Sequence, residues 1–344
     1  MSAGRTREQR VALVFNLVHP EMLKGRPLDA VAELDTEPTI AAIEAALRSR
    51  GHAVLRIEAD EALHEALRRS RPDIVFNIAE GIGGESRESH VPAICEFLGI
   101  PYTGSGVLTT ALCLDKPRTK EILAHHGLAT PAYRVVRRPA GGSAGLRFPL
   151  IVKLAHEGSS MGLTPESVVD DAASLDRQIA RLVETYHGPV LVEEFISGRE
   201  FTVGVLGNEE LSILPIVEIV FSHPRGINLF QPDDALLEML ADARKERPRY
   251  PRLHEAVCPA LVDAALADRI RDTAARAYRA LDCRDWCRME MRLGQDGALY
   301  VLELNPIAGI DPTYLLPRAA AAAGWSFADL INRILDLALA RTKR

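Results

Sequence analysis

An α/β fold that opens on a parallel sheet with helices on both faces is predicted by three features of the sequence. Apolar strand-like runs alternate with amphipathic helix-like runs through the first third, glycines and prolines punctuate them, and no uninterrupted apolar stretch approaches about 18 residues. Residues 11–17 read as a buried strand, 37–50 as a helix closed by Gly51, 53–57 as a second strand, 59–70 as a helix and 73–78 as a third strand. In an open α/β sheet, ligands gather beyond the carboxyl ends of the strands. Residues 77–87, with Gly81, Gly83 and Gly84, accordingly stand at a candidate site mouth.

A helix over 116–126 follows, punctuated by Gly127 and Pro131. Strands are expected at 132–136, 150–154, 190–195 and 201–206, a helix at 171–186, and a solvated linker at 137–147. The last section predicts strands at 211–218, 287–293 and 298–304 and helices at 263–281, 312–323 and 326–339. Between Phe221 and Cys258 lies a polar, proline-bearing stretch with a helical pattern only over 235–244, the profile of a lid or binding loop.

At 344 residues the chain is long enough for about two or three packed units. Its composition is globular, 47% hydrophobic and 26% charged with net charge −6, so no single-sign excess points to nucleic acid or an anionic membrane. Five cysteines, Cys95, Cys113, Cys258, Cys283 and Cys287, form no CxxC pair and mostly sit in apolar runs. A reducing cytoplasm is the simplest setting. The polar start MSAGRTREQR and the short apolar run after it match neither a signal peptide nor a membrane span.

The chemistry concentrates in a few strings. YVLELN, residues 300–305, places Glu303 and Asn305 on one strand face, with Val301 and Leu302 read as buried packing. Upstream, Arg288, Glu290 and Arg292 share a face of another strand. Three oxygen donors beside a guanidinium suit Mg²⁺ and a polyphosphate; charges on the wet side of a hairpin turning at 294–297 are the plainer alternative. FPLIVK ends a strand on Lys153 and runs into Glu157-Gly158-Ser159-Ser160-Met161-Gly162, where small residues let N–H groups close over phosphates without a Walker sequence. Residues 191–201 join two strands with Glu193 and Glu194 at the entry and Glu200 at the exit. Such carboxylates suit a nucleoside, or merely a soluble hairpin.

In order, these pieces resemble the ATP-grasp superfamily and most closely the D-alanine–D-alanine ligase family. The likeness is carried by IPYTGSG (100–106), LDKPRTK (114–120), FPLIVK with EGSSMG, VLVEEFISGREFTVGVLG (190–207) and the group from Arg288 through LELNPIAG (302–309). It implies an N-terminal Rossmann-like domain over 1–114 and two α+β ATP-grasp lobes over 115–207 and 208–344. It also implies that Lys116 and Lys153 contact ATP phosphates under a loop carrying Ser159 and Ser160. Glu193 would face adenine, the backbone at Phe195 and Ile196 would receive its edge, and Glu200 would hold ribose. Glu290, Glu303 and Asn305 would bind two Mg²⁺ ions, with Mn²⁺ an alternative, while Arg288 and the Gly309 N–H form an oxyanion site. Glu33 matches the glutamate that orients the first substrate's ammonium group.

The activity implied is ATP-dependent ligation of two small amino acids through an acyl phosphate, as in peptidoglycan synthesis, by a cytoplasmic homodimer. Three positions depart from the pattern, all in the amino-acid pockets. Glu80 stands where a histidine is usual, no lysine–tyrosine pair occurs between Phe221 and Cys258, where Lys245 or Tyr250 would have to substitute, and a serine is replaced around Tyr314. These departures leave open a ligase for other amino acids, and a nucleotide-binding regulator without ligation is the rival from another class.

Overall fold

The computed structural model describes residues 8–24, 26–139, 143–223, 225–232, 236–238 and 254–342. β1 (Arg10–Phe15), β2 (Ala53–Glu58) and β3 (Ile74–Asn77) form the expected parallel sheet, in the order β2-β1-β3. Successive residues of β1 serve opposite cores. Val11, Leu13 and Phe15 pack with Ile40, Ile43 and Leu47 of α1 (Glu37–Arg48), whereas Ala12 and Val14 meet Leu63 and Leu67 of α2 (Leu63–Ser70). α2 begins four residues later than the apolar pattern predicts, because Asp60 holds a turn by accepting from the Ala62 N–H at 2.8 Å.

Two helices without a sequence expectation, α3 (His90–Leu98) and α4 (Val107–Leu114), lead to α5 (Lys116–His125). The start of α5 is fixed locally: the Asp115 side chain accepts from the Arg118 N–H at 3.0 Å and Pro117 occupies the first turn.

β4 (Tyr133–Val136), β5 (Leu150–Leu154), β6 (Val168–Val169) and β7 (Val190–Glu194) make an antiparallel sheet in the order β4-β7-β5-β6. α6 (Ala172–Tyr186) lays Leu175, Ile179 and Leu182 on it, a helical stripe packed against Leu150, Val152 and Leu154. The next sheet comprises β8 (Gly198–Gly207), β9 (Leu211–Ile213), β10 (Val217–Phe221), β11 (His254–Val257), β12 (Trp286–Gly294) and β13 (Leu299–Asn305). Its order is β11-β10-β8-β12-β13, with β9 also on β8. α7 (Ala264–Ala280) covers one face through Ile270, Ala274 and Tyr278. α8 (Leu315–Ala322) and α9 (Phe327–Thr342) complete the chain.

The single strand expected over 211–218 is two strands, broken at Leu214–Pro215–Ile216, where proline supplies no N–H to the ladder. β7 and β8 do not form a hairpin: they belong to different sheets, and Phe195, Ile196 and Ser197 between them cross from one to the other. Of the helical pattern over 235–244, residues 236–238 are helical; the rest, with Lys245 and Tyr250, lies outside the described residues. Cys95, Cys113, Cys283 and Cys287 are buried as unpaired thiols. Among the described residues no helix is long and apolar enough to cross a membrane.

α9 returns to the first sheet, where Leu330, Ile331, Ile334 and Leu335 share a core with Leu13, Ile43 and Phe76. Beside this core Asp285, fully buried, accepts from the Gly104 N–H at 2.8 Å, from Asn208 Nδ2 at 3.0 Å and from Arg341 at 3.0 Å. One carboxylate thus ties the segment after β3, the β8–β9 turn and the end of α9. Replacing Asp285 with alanine strands these donors and should cost about 3 kcal/mol. A clear fall in the urea unfolding midpoint is expected; an unchanged midpoint would contradict the role.

Candidate active site

A cavity of about 410 Å³ lies where the two antiparallel sheets face each other. β5 supplies Lys153, β7 supplies Glu193, the crossing supplies Phe195 and Ile196, and β8 supplies Glu200. β12 contributes Arg288, Glu290 and Arg292, β13 contributes Leu302 and Glu303, and Lys116 enters from the start of α5. Ser159 and Ser160 form one edge, and residues 227–231 form another. A second cavity of about 70 Å³ adjoins it and holds Glu33, Glu80, Asn305, Gly309 and Asp311. Ser159, Arg288 and Tyr314 line both. Every site residue expected from the sequence therefore reaches one connected space.

The carboxylates meet because β12 and β13 pair antiparallel with Glu290 opposite Glu303 and Arg288 opposite Asn305. The register shifts between Glu290 and Met291, leaving Leu302 without a cross-strand partner. That bulge corrects one expectation: Leu302 turns into the cavity, while Val301 and Leu304 pack in the core. Glu290 accepts from Arg288 Nε at 2.7 Å and from Asn305 Nδ2 at 2.7 Å, and Lys116 Nζ stands 3.2 Å from Glu303. Burial pushes the Glu290 carboxyl up to about 7 against the pull of Arg288. Burial acts the same way on Glu303, yet Lys116, Lys153 and Arg288 hold it well below the usual carboxylate range.

This donor set fits a hard cation. Two carboxylates and an amide converge, and burial together with the neighbouring Glu303 raises Glu290 despite the Arg288 guanidinium bonded to it. Among the described residues no group of three His, Cys, Asp or Glu stands close enough to cage a metal unaided. Few protein carboxylates plus oxygens from a phosphate ligand is the pattern Mg²⁺ takes.

Glu193, only 1% exposed, has Lys153 Nζ at 2.7 Å and Lys120 Nζ at 2.5 Å. Each carboxylate oxygen thus faces a lysine, Lys153 at the cavity wall and Lys120 buried behind it. Sequence reasoning assigns no role to Lys120, although Lys116 and Lys120 are one helical turn apart and so share a face of α5. It places Arg292 on the face of Arg288 and Glu290 without giving it a role; Arg292 donates to Glu200 at 2.7 Å, to the Ile196 carbonyl at 3.0 Å and to the Gly226 carbonyl at 2.7 Å. With its guanidinium 4.8 Å from the Phe195 ring, Arg292 braces the crossing between the sheets.

Glu33 accepts from the Gly158 N–H at 2.7 Å and from Arg87 Nη2 at 2.5 Å, and Arg87 also reaches Glu157 at 2.8 Å. Lys116 Nζ donates to the Glu157 carbonyl. The loop these groups hold is bent: Ser159 and Ser160 take left-handed backbone at φ 46° and 60°, which costs each on the order of 1 kcal/mol. In the second cavity burial, reinforced by Glu33, Glu88 and Asp35, pushes Glu80 well above the usual range. Asp35 is raised by burial and by Asp311. Tyr314 closes over Gly309, whose missing Cβ would sit 2.7 Å from the tyrosine ring. Glu80 and Tyr314, the departures visible in the sequence, therefore share one small, acid-rich chamber.

Comparison with known proteins gives a consistent result. The family described as the D-ala D-ala ligase C-terminus matches residues 122–336. An uncharacterized protein of Sinorhizobium fredii is 36% identical over 96% of this chain and 96% of its own length. A D-alanine–D-alanine ligase of Desulforudis audaxviator is 37% identical over 87% of this chain and 92% of its own. In fold, the crystal structure of the Bacillus anthracis D-alanine–D-alanine ligase complexed with ATP superposes with a TM-score of 0.72 at 23% identity, covering 97% of this chain and 99% of that one.

The lysine–glutamate triad permits a direct check. Glu193→Gln leaves Lys120 and Lys153 buried without their shared counter-ion and should lower stability by about 3 kcal/mol. Urea unfolding reads this, and a midpoint equal to that of the unaltered protein would show that the two lysines find another anion.

Proposed function

The chain belongs to the D-alanine–D-alanine ligase family, and from that premise we propose that it is an ATP-dependent carboxylate–amine ligase joining two amino acids into a dipeptide, with release of ADP and phosphate. The observation that carries the reading is the convergence of Lys116 and Lys153 with Glu290 and Glu303 around Arg288, at the junction of a nucleotide-sized cavity and a smaller one.

In this reading Lys116, Lys153 and the loop bearing Ser159 and Ser160 take the phosphates of ATP, Phe195 and Ile196 the adenine edge, and Glu200 the ribose. Glu193 fixes both lysines and stands behind the base. Glu290, Glu303 and Asn305 are the groups assigned to two Mg²⁺ ions, Mn²⁺ suiting the same donors; bound there, the metal neutralises charge on the transferring phosphoryl group.

The first substrate's carboxylate attacks the terminal phosphorus, giving an acyl phosphate and ADP, while Glu33 orients its ammonium group. The second substrate's amine then attacks the acyl carbon, loses a proton, and expels phosphate. Arg288 and the Gly309 N–H stabilise the oxyanion formed on the way. Three working parts, 1–114, 115–207 and 208–344, supply orientation, phosphate grip and oxyanion site respectively. The homodimer and the cytoplasmic setting rest on the family resemblance alone.

With ATP and Mg²⁺, phosphate release should depend on added D-alanine or another amino acid, with an amide product found by mass; no release with any D- or L-amino acid overturns the assignment. Arg288→Ala should lower kcat by about a hundredfold while the KM for ATP moves by less than about threefold. A change confined to that KM would instead make Arg288 a nucleotide-binding residue.

A further inference from the structure

The strained loop between Glu157 and Gly162 is held at both ends by carboxylates from the connection between β1 and α1. Glu33 takes the Gly158 N–H, as described, and Asp29 takes the Gly162 N–H at 2.7 Å. Asp29 also accepts from the Tyr186 hydroxyl at 2.8 Å, and Arg181 donates to the Gly162 carbonyl at 2.7 Å. Gly162 itself has φ 75° and no room for a side chain, since a Cβ would lie 2.8 Å from Leu182. The left-handed backbone at Ser159 and Ser160 persists only where its surroundings over-determine it. The same short connection also reaches the cavity edge formed by residues 227–231: Val31, with Leu28 and Leu34, packs with Phe230, which lines the cavity, and with Leu236. Yet Asp29 lines neither cavity.

From this we infer that residues 28–34 form a clasp across the nucleotide cavity and that Asp29 is a positioning residue, fixing the phosphate loop through Gly162 without touching the reactants. The inference rests on the ligase reading above and adds a cause for water exclusion. When the clasp is loose, water rather than the amine reaches the acyl phosphate and returns it to carboxylate and phosphate, so ATP is consumed without product.

The full-length protein carrying Asp29→Ala tests this, with Asp29→Asn as the conservative variant that keeps an acceptor oxygen and Tyr186→Phe as an independent weakening of the same contact. Release of a fluorescent N-methylanthraniloyl ADP with Mg²⁺ should be about tenfold faster in Asp29→Ala. Tyr186→Phe should shift it in the same direction by less, and Asp29→Asn should restore part of the loss. With D-alanine and ATP, the ratio of phosphate released to amide formed should rise above that of the unaltered protein. Unchanged release in both Asp29→Ala and Tyr186→Phe overturns the clasp, as does an unchanged phosphate-to-amide ratio. Failure of the unaltered protein to bind the fluorescent nucleotide counts against the nucleotide site itself, a result separable from the first two.

Discussion

Buried charge between the two antiparallel sheets is the constraint on which this molecule is organised. Lys116, Lys120, Lys153, Glu193, Glu290 and Glu303 all stand in or beside one groove, and taking such groups from water costs several kcal/mol each unless each finds an opposite charge. The contributors come from α5, β5, β7, β12 and β13, so neutrality is reached only when these elements are docked together. The lysines are largely balanced by Glu193 and Glu303, whereas Glu290, held by Arg288 and Asn305, is raised by burial and by its neighbour Glu303.

Three braces keep the groove in shape. Arg292 joins Glu200, the Ile196 carbonyl and the Gly226 carbonyl, which fixes the crossing from one sheet to the other. Arg87 joins Glu33 to Glu157 and so holds the base of the loop carrying Ser159 and Ser160. Asp285 holds the end of α9 and the segment after β3 against the six-stranded sheet. Each is a charged group in or near a dry interface, where an unmet partner is costly and geometry is correspondingly strict. The cavity between the sheets is thus positioned by polar contacts between units together with apolar packing, as Leu13, Ile43 and Ile334 supply where α1 and α9 meet the first sheet.

Much of this is legible along the chain, for identifiable reasons. The continuous apolar runs of β1 and β7, the alternation of β5 and the helical stripe of α6 are local signals that burial then honours. Lys153, Glu290 and Glu303 stand out because strand alternation dictates which neighbours share a face. The misses have equally physical causes: the bulge that turns Leu302 into the cavity depends on a partner strand's register, and the break at Pro215 depends on where β8 offers its carbonyls. Lys120 looks like an ordinary surface charge and Arg292 like one more member of the β12 face, since nothing along the chain says that Glu193 or Glu200 lies opposite them.

The sequence by itself determined the order of elements, the family motifs and the chemical type of each ligand group, because these follow from side-chain periodicity and residue identity along a short stretch. Tertiary structure alone decided which charges face one another. Glu193 serves two lysines, and Glu80, Asp35 and Asp311 crowd one chamber with Tyr314 over Gly309. Glu33 and Asp29 grip loop residues 125 and 133 positions away. Electrostatic energy depends on distance and burial in space, and neither is a property of separation along the chain.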